Sequence, residues 1–151
     1  FNPFVSLAMF FRKKIKSDPL KYYIPAQISG CLFGVMLANV FFEHDILELS
    51  TKNRDGLHIF FSEIIATFGL IFVIFATLKD GKTIVAISVA TYISAGYWFT
   101  SSTSFANPAV SIARTFTDSF TGINYLNTPT YILAEFIGLI LAAYILKIIY
   151  K

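Results

Sequence analysis

Asn2-Pro3-Phe4-Val5-Ser6-Leu7-Ala8-Met9-Phe10-Phe11 and Asn107-Pro108-Ala109-Val110-Ser111-Ile112-Ala113-Arg114-Thr115-Phe116 are one pattern written twice. Asn, Pro, Val, Ser, Ala and the closing Phe recur in register, and Leu7 is matched by the similar Ile112. Each copy opens as a helix opens: the Asn side chain caps free backbone N–H groups, and Pro fits the first turn because it has no N–H to satisfy. Ten helical residues rise only about 15 Å, half of the roughly 30 Å of bilayer hydrocarbon, so each copy predicts a half-helix. The repeat runs on: Tyr23-Ile24-Pro25-Ala26-Gln27-Ile28-Ser29-Gly30 aligns with Tyr131-Ile132-Leu133-Ala134-Glu135-Phe136-Ile137-Gly138. The repeated unit is therefore a half-helix followed by a long apolar helix.

The composition requires such a setting. Of 151 residues 56% are apolar and 14% charged, against about 45–50% and about 25% in a soluble domain. Four apolar stretches, Leu20–Phe42, Leu57–Leu78, Thr83–Thr100 and Thr130–Tyr150, have the length of a spanning helix. Pro25 inside the first and the Ala, Ser and Gly content of the third suit close helix packing in lipid. The expected fold is an all-α membrane protein: four spanning helices and two re-entrant half-helices in a single domain over 1–151. Residues 1–42 close a first repeat and residues 57–151 form a second.

Charge orients the bundle. Of the 12 basic residues, all but Lys52, Arg54 and Arg114 fall on one side if every span crosses. These are Arg12, Lys13, Lys14, Lys16 and Lys21, then Lys79 and Lys82, then Lys147 and Lys151, and that side reads as cytoplasmic. The Glu43–Gly56 connection, with Glu43, Asp45, Glu48 and Asp55 against Lys52 and Arg54, reads as external. The two half-helices then come from opposite faces, which makes an inverted repeat with its site near the midplane at the repeat interface. Within its repeat the second half-helix follows two spans, whereas none precedes the first half-helix, so two further spans are expected upstream.

These residues resemble the major intrinsic protein family, the aquaporins and aquaglyceroporins, whose two Asn-Pro-Ala loops sit on half-helices meeting in mid-membrane. Asn107-Pro108-Ala109 is the complete motif; Asn2-Pro3-Phe4 departs from it at Phe4. The resemblance covers the whole chain. It implies a central constriction lined at Asn2, Pro3, Asn107, Pro108 and Ala109, with two helix N-termini each carrying roughly half a positive charge. Cations would be repelled there, and the two Asn amides would orient a passing water or hydroxyl oxygen. Phe4 beside the central Asn has three readings: a narrowed pore, altered packing, or space filled in lipid contact.

The family's filter usually carries an Arg directly after Asn-Pro-Ala. Here that position is Val110, and Ala95 or Gly96, Ser104 and Val110 would form a wide, uncharged filter. Arg114 would line the outer mouth, or else pair with Asp118 at i+4 or snorkel at the interface. A filter without Arg resembles bacterial members linked to arsenic resistance. It implies passage of water, glycerol-like polyols and undissociated arsenous acid.

Glu63 and Glu135 lie inside apolar spans, where an unpartnered charge is expensive. Relay carboxylates of a proton-coupled carrier are one reading. The family resemblance implies instead that Glu63 holds the backbone of the half-helix loop. Gln27 occupies the position of Glu135 in the other repeat, which points to shared loop support without charge. His44 and His58 have no clustered thiol or carboxylate to complete a metal site and read as wetted surface. Cys31, the single Cys, reads as a packing residue or a pore-facing thiol open to mercurials. No nucleophile triad, phosphate loop or carboxylate pair supports an enzyme, and no cofactor, metal or nucleic acid is expected. The expectation is a passive channel in a bacterial inner membrane, with lipid, water and small neutral solutes as partners. By resemblance it is a homotetramer. The rivals are a secondary transporter and a non-conducting protein of the same fold.

Overall fold

The computed structural model describes residues 1–150; Lys151, counted above among the basic residues, lies outside them. The chain forms helices α1 (Pro3–Phe11), α2 (Ser17–Phe41), α3 (Leu57–Thr77), α4 (Lys82–Phe99), α5 (Pro108–Ala113) and α6 (Thr128–Ile149). Short 3-10 turns follow α3 (Leu78–Asp80) and α5 (Arg114–Phe116). These helices group into two compact units: Phe1–Asp55 with Asn107–Ile132, and Gly56–Ala106 with the chain from Leu133 onward.

The four predicted spans are all helical, and three of these helices, α2, α3 with its 3-10 turn, and α6, are long and apolar enough to cross a membrane. The expectation of four is thus met on length and apolarity by three. The fourth, α4, has 18 residues, a rise of about 27 Å, but with Lys82 and its Ser, Thr and Gly it offers no stretch of 18 residues as apolar as those in the other three. Pro25 is accommodated within the 25-residue α2; a spanning helix tolerates the lost N–H where neighbours re-satisfy the freed carbonyl.

In the first unit α1 and α5 pack against α2. The first half-helix closes with Lys13 in the left-handed region (φ 56°), its N–H donating to the Phe10 carbonyl at 2.8 Å while the Lys14 N–H reaches Met9 at 2.8 Å. That geometry satisfies carbonyls that a helix end otherwise leaves open. At the far end of α2, Asn39 is buried (3% exposed) and its Nδ2 donates to the carbonyls of Ile46 at 3.3 Å and Phe116 at 2.9 Å. The connection after α2 is laced to the loop after α5. The Ser50 N–H donates to Thr115 O at 2.9 Å and the Asn124 N–H to Lys52 O at 2.7 Å. Arg54 forks onto the carbonyls of Gly122 (Nε, 2.8 Å) and Phe120 (Nη2, 2.8 Å).

Asp118 belongs to the same lacing. Its carboxylate accepts from the Thr51 N–H at 2.7 Å, the Thr51 hydroxyl at 3.0 Å and the Ser50 hydroxyl at 3.4 Å. These donors, the Thr51 N–H foremost, hold its pKa below the ordinary 3.8, with Lys52 assisting. A carboxyl with a lowered folded-state pKa contributes stability that is complete above its ordinary value and lost as pH falls through the lowered one. The protection of the Thr51 amide from hydrogen exchange, measured against its intrinsic rate at each pH, should therefore hold from neutral pH downward and fall only in acid, below about 3.8. Protection already lost at pH 6 would show that Asp118 does not hold this amide.

In the second unit α3 buries Ile64, Ala66, Leu70, Ile71, Ile74 and Phe75 along one stripe, the i, i+3, i+4 spacing of a packed helix face. Gly81 (φ 99°) turns the chain into α4, and the Tyr92 hydroxyl on α4 donates to the Ile65 and Ala66 carbonyls of α3, each at 3.1 Å. Helix α6 meets α3 at Gly138, where a Cβ would stand 2.6 Å from the Ile64 carbonyl oxygen. Only a glycine permits that backbone approach, the usual means of tight helix crossing in lipid. Leu139, Ala142 and Leu146 continue the buried face of α6.

Candidate functional site

Both Asn-Pro pairs start helices as their chemistry dictates. Asn2 has extended backbone, and its Oδ1 accepts from the N–H groups of Phe4 at 2.9 Å and Val5 at 3.4 Å. Asn107 repeats this, accepting from the Ala109 N–H at 3.1 Å. The two starts abut in the first unit: Nδ2 of Asn107 donates to the carbonyl of Phe1, the residue before Asn2, at 3.0 Å. Pro3, Pro108 and Ala109 are buried behind the caps. The second half-helix is shorter than the first, six α-helical residues against nine, and tightens into its 3-10 turn where the Thr115 hydroxyl donates to the Ile112 carbonyl at 2.7 Å.

Phe4 is 8% exposed, so of its three readings lipid contact is excluded. It is absent from the residues lining the hollow beside Asn2, a space of about 810 Å³ that includes Val5, Ser6, Met9, Gln27 and Cys31. Its ring is buried. Gln27 donates from Nε2 to the Ser6 hydroxyl at 2.9 Å, reaching the half-helix through a side chain where backbone acceptance was expected. Cys31 is half-buried on the same wall.

A second hollow, about 690 Å³, lies further along α2 and is lined by Arg114, Asp118, Asn39 and His44 among others. Tyr23, Ala26, Gln27, Gly30 and Cys31 line the first hollow and Gly34, Val35, Ala38, Asn39 and Phe42 the second. The spacing of three and four makes these one continuous face of α2. Arg114 lines this second hollow, but the Asp118 expected as its i+4 partner is engaged by Thr51 and Ser50 instead. His44 pairs with Glu48 at 3.0 Å, both half-exposed.

In the second unit Glu63, fully buried, accepts from the N–H groups of Phe105 at 3.3 Å and of Ala106. The loop they belong to is strained: Thr103, Ser104 and Ala106 take φ of 63°, 51° and 47°, a region costing non-glycine residues about 1–3 kcal/mol each. Of the two α4 candidates, Gly96 is buried and Ala95 exposed. Gly96 is the one against Ser104, whose Oγ a Cβ at Gly96 would approach to 2.6 Å. That hydroxyl is buried and makes no hydrogen bond among the described residues. Glu135 is fully buried on α6. Val110 is half-exposed on α5 in the first unit.

Asn39 and Arg54 tie the connection after α2 to the loop after α5 and were not singled out by sequence. Asn39 had a signal, a lone amide at the end of an apolar run. Arg54 had none, because its carbonyl acceptors lie 66 and 68 residues away.

Comparison with known proteins agrees with this geometry. Aquaglyceroporin AqpS of Rhizobium meliloti (strain 1021) is 39% identical over 147 residues, 97% of this chain and 63% of the relative. The chain thus spans under two thirds of that relative's length. The family model described as Major intrinsic protein matches residues 1–98, which take in the first half-helix, α2, α3 and nearly all of α4. With Asn-Pro starts that cap two abutting half-helices, and with that match over most of its length, the chain belongs to the major intrinsic protein family.

Proposed function

We propose that this chain forms part of a passive transmembrane channel for water and small uncharged solutes: glycerol-like polyols and undissociated arsenous acid. The observation that carries the reading is the Asn107 amide on the Phe1 carbonyl at 3.0 Å, which sets two helix starts head to head. Each brings roughly half a positive charge, a barrier to cations and to protons on a water chain but not to neutral molecules. The relative's name, aquaglyceroporin, supports the polyol, and the absence of an Arg at Val110 supports the wider solutes. The channel works in the bilayer as a homotetramer, each protomer with its own pore, in a bacterial inner membrane and without enzymatic chemistry.

Osmotic shrinkage of vesicles holding the full-length protein tests this. Water and glycerol should equilibrate faster than in empty vesicles, down their own gradients, and Glu135→Gln should leave the rates unchanged. A requirement for a proton or sodium gradient, or loss of flux in Glu135→Gln with the fold intact, would instead indicate a coupled carrier with an essential buried carboxylate.

A further inference from the structure

We propose that the connection between α1 and α2 is a docking site for the phosphate-bearing headgroup of an anionic lipid. Arg12, Lys13, Lys14, Lys16 and Lys21 fall within ten positions, and the acid among them, Asp18, is already taken by Lys21 at 3.2 Å. Lys13, Lys14 and Lys16 are exposed and make no ion pair among the described residues. The turn is fixed, not loose: the left-handed Lys13 and the two 2.8 Å bonds that close α1 set where these ammonium groups emanate. Tyr22 and Tyr23 are at least half exposed beside them, amphipathic rings of the kind that sit at headgroup depth, and the apolar Phe11 is exposed next to them. Lys21 Nζ also lies 5.2 Å from the Tyr22 ring centroid.

The last turn of α1 holds no basic residue, and helix-dipole complementarity, which falls off within a turn, reaches only Arg12 and Lys13 just beyond it. It leaves Lys14 and Lys16 without a counter-charge. The leaflet that basic segments face is the anionic one, and several Lys or Arg beside a span attract its headgroups cumulatively. A lipid phosphodiester at the turn supplies the missing charge, and the neighbouring rings cover its acyl-chain side.

The test is electron spin resonance of the full-length protein in phosphatidylcholine vesicles carrying spin-labelled phosphatidylglycerol or spin-labelled phosphatidylcholine. The protein-bound fraction should favour phosphatidylglycerol by about fivefold at low salt, and the preference should fade at 1 M salt, where the screening length is about 3 Å. Combined Lys13→Gln, Lys14→Gln and Lys16→Gln should bring it towards parity, and the three Lys→Arg changes should keep it. Lys79→Gln with Lys82→Gln should leave it in place. Parity in the unaltered protein, or a preference that survives the three Gln changes, overturns the proposal. So does a preference abolished by millimolar inorganic phosphate, which would mark a site for free anions.

Discussion

Glu63→Ala is expected to abolish channel activity and most of the folded population in detergent. The Glu63 carboxyl is wholly buried and accepts from two adjacent backbone N–H groups, those of Phe105 and Ala106. Removing it leaves both donors without this acceptor in an interior that water does not reach, about 1–3 kcal/mol for each. The same bonds hold a loop with three non-glycine residues in the left-handed region, Thr103, Ser104 and Ala106. Without the carboxyl that strain has an outlet, and the backbone leading into Asn107 relaxes away from its native path. Glu63→Gln keeps one carbonyl acceptor but turns an NH₂ towards the other N–H, so it should lose about half as much. Melting followed by size-exclusion chromatography, paired with glycerol uptake, should rank the native residue above Gln and Gln above Ala. Equal melting of Glu63→Ala and the unaltered protein would show that the loop holds itself.

That loop marks the boundary of what the sequence reveals. The starts of α1 and α5 are legible because a cap is local: Asn offers an oxygen to N–H groups two or three residues on, and Pro tolerates the first turn. Span positions are legible for the same kind of reason, since hydrocarbon demands a run of apolar residues wherever the chain crosses. The strained turn is not, because nothing in Ser-Thr-Ser-Phe-Ala announces positive φ; it is imposed by an acceptor 42 and 43 residues earlier. Family likeness pointed to that acceptor where local rules could not.

Local rules also misplace partners. The i+4 spacing joins Arg114 to Asp118, yet Asp118 lies against Thr51, 67 residues away, because the connection after α2 folds back onto the loop after α5. Loop-to-loop pairing has no periodicity, so sequence offers no register for it. Gln27 shows a subtler limit. Its alignment with Glu135 suggests a backbone acceptor, but an amide can donate as well as accept, and the Ser6 hydroxyl offers it an oxygen at 2.9 Å.

The filter reading has its own decisive change, Val110→Arg, which is expected to cut glycerol passage by about tenfold or more, an added barrier of about 1.4 kcal/mol, while water flow falls far less. Val110 follows Asn107 by three residues, about 4.5 Å further along the helix on the same face. It is half-exposed, whereas Ala109 and Ala113 beside it are fully buried, so position 110 can take a longer side chain that its neighbours cannot. A guanidinium there narrows the passage and adds donors that hold a polyol's hydroxyls, and water, smaller and singly oxygenated, still slips by. Arg114 lies four residues on, and the like charges cost a few tenths of a kcal/mol, too little to unfold α5. Val110→Leu adds bulk without charge and should reduce glycerol passage less. An unchanged ratio of glycerol to water flux in a Val110→Arg protein that melts normally would mean that position 110 does not face the solute path, and the filter would have to be sought at Ser104 and Gly96 alone.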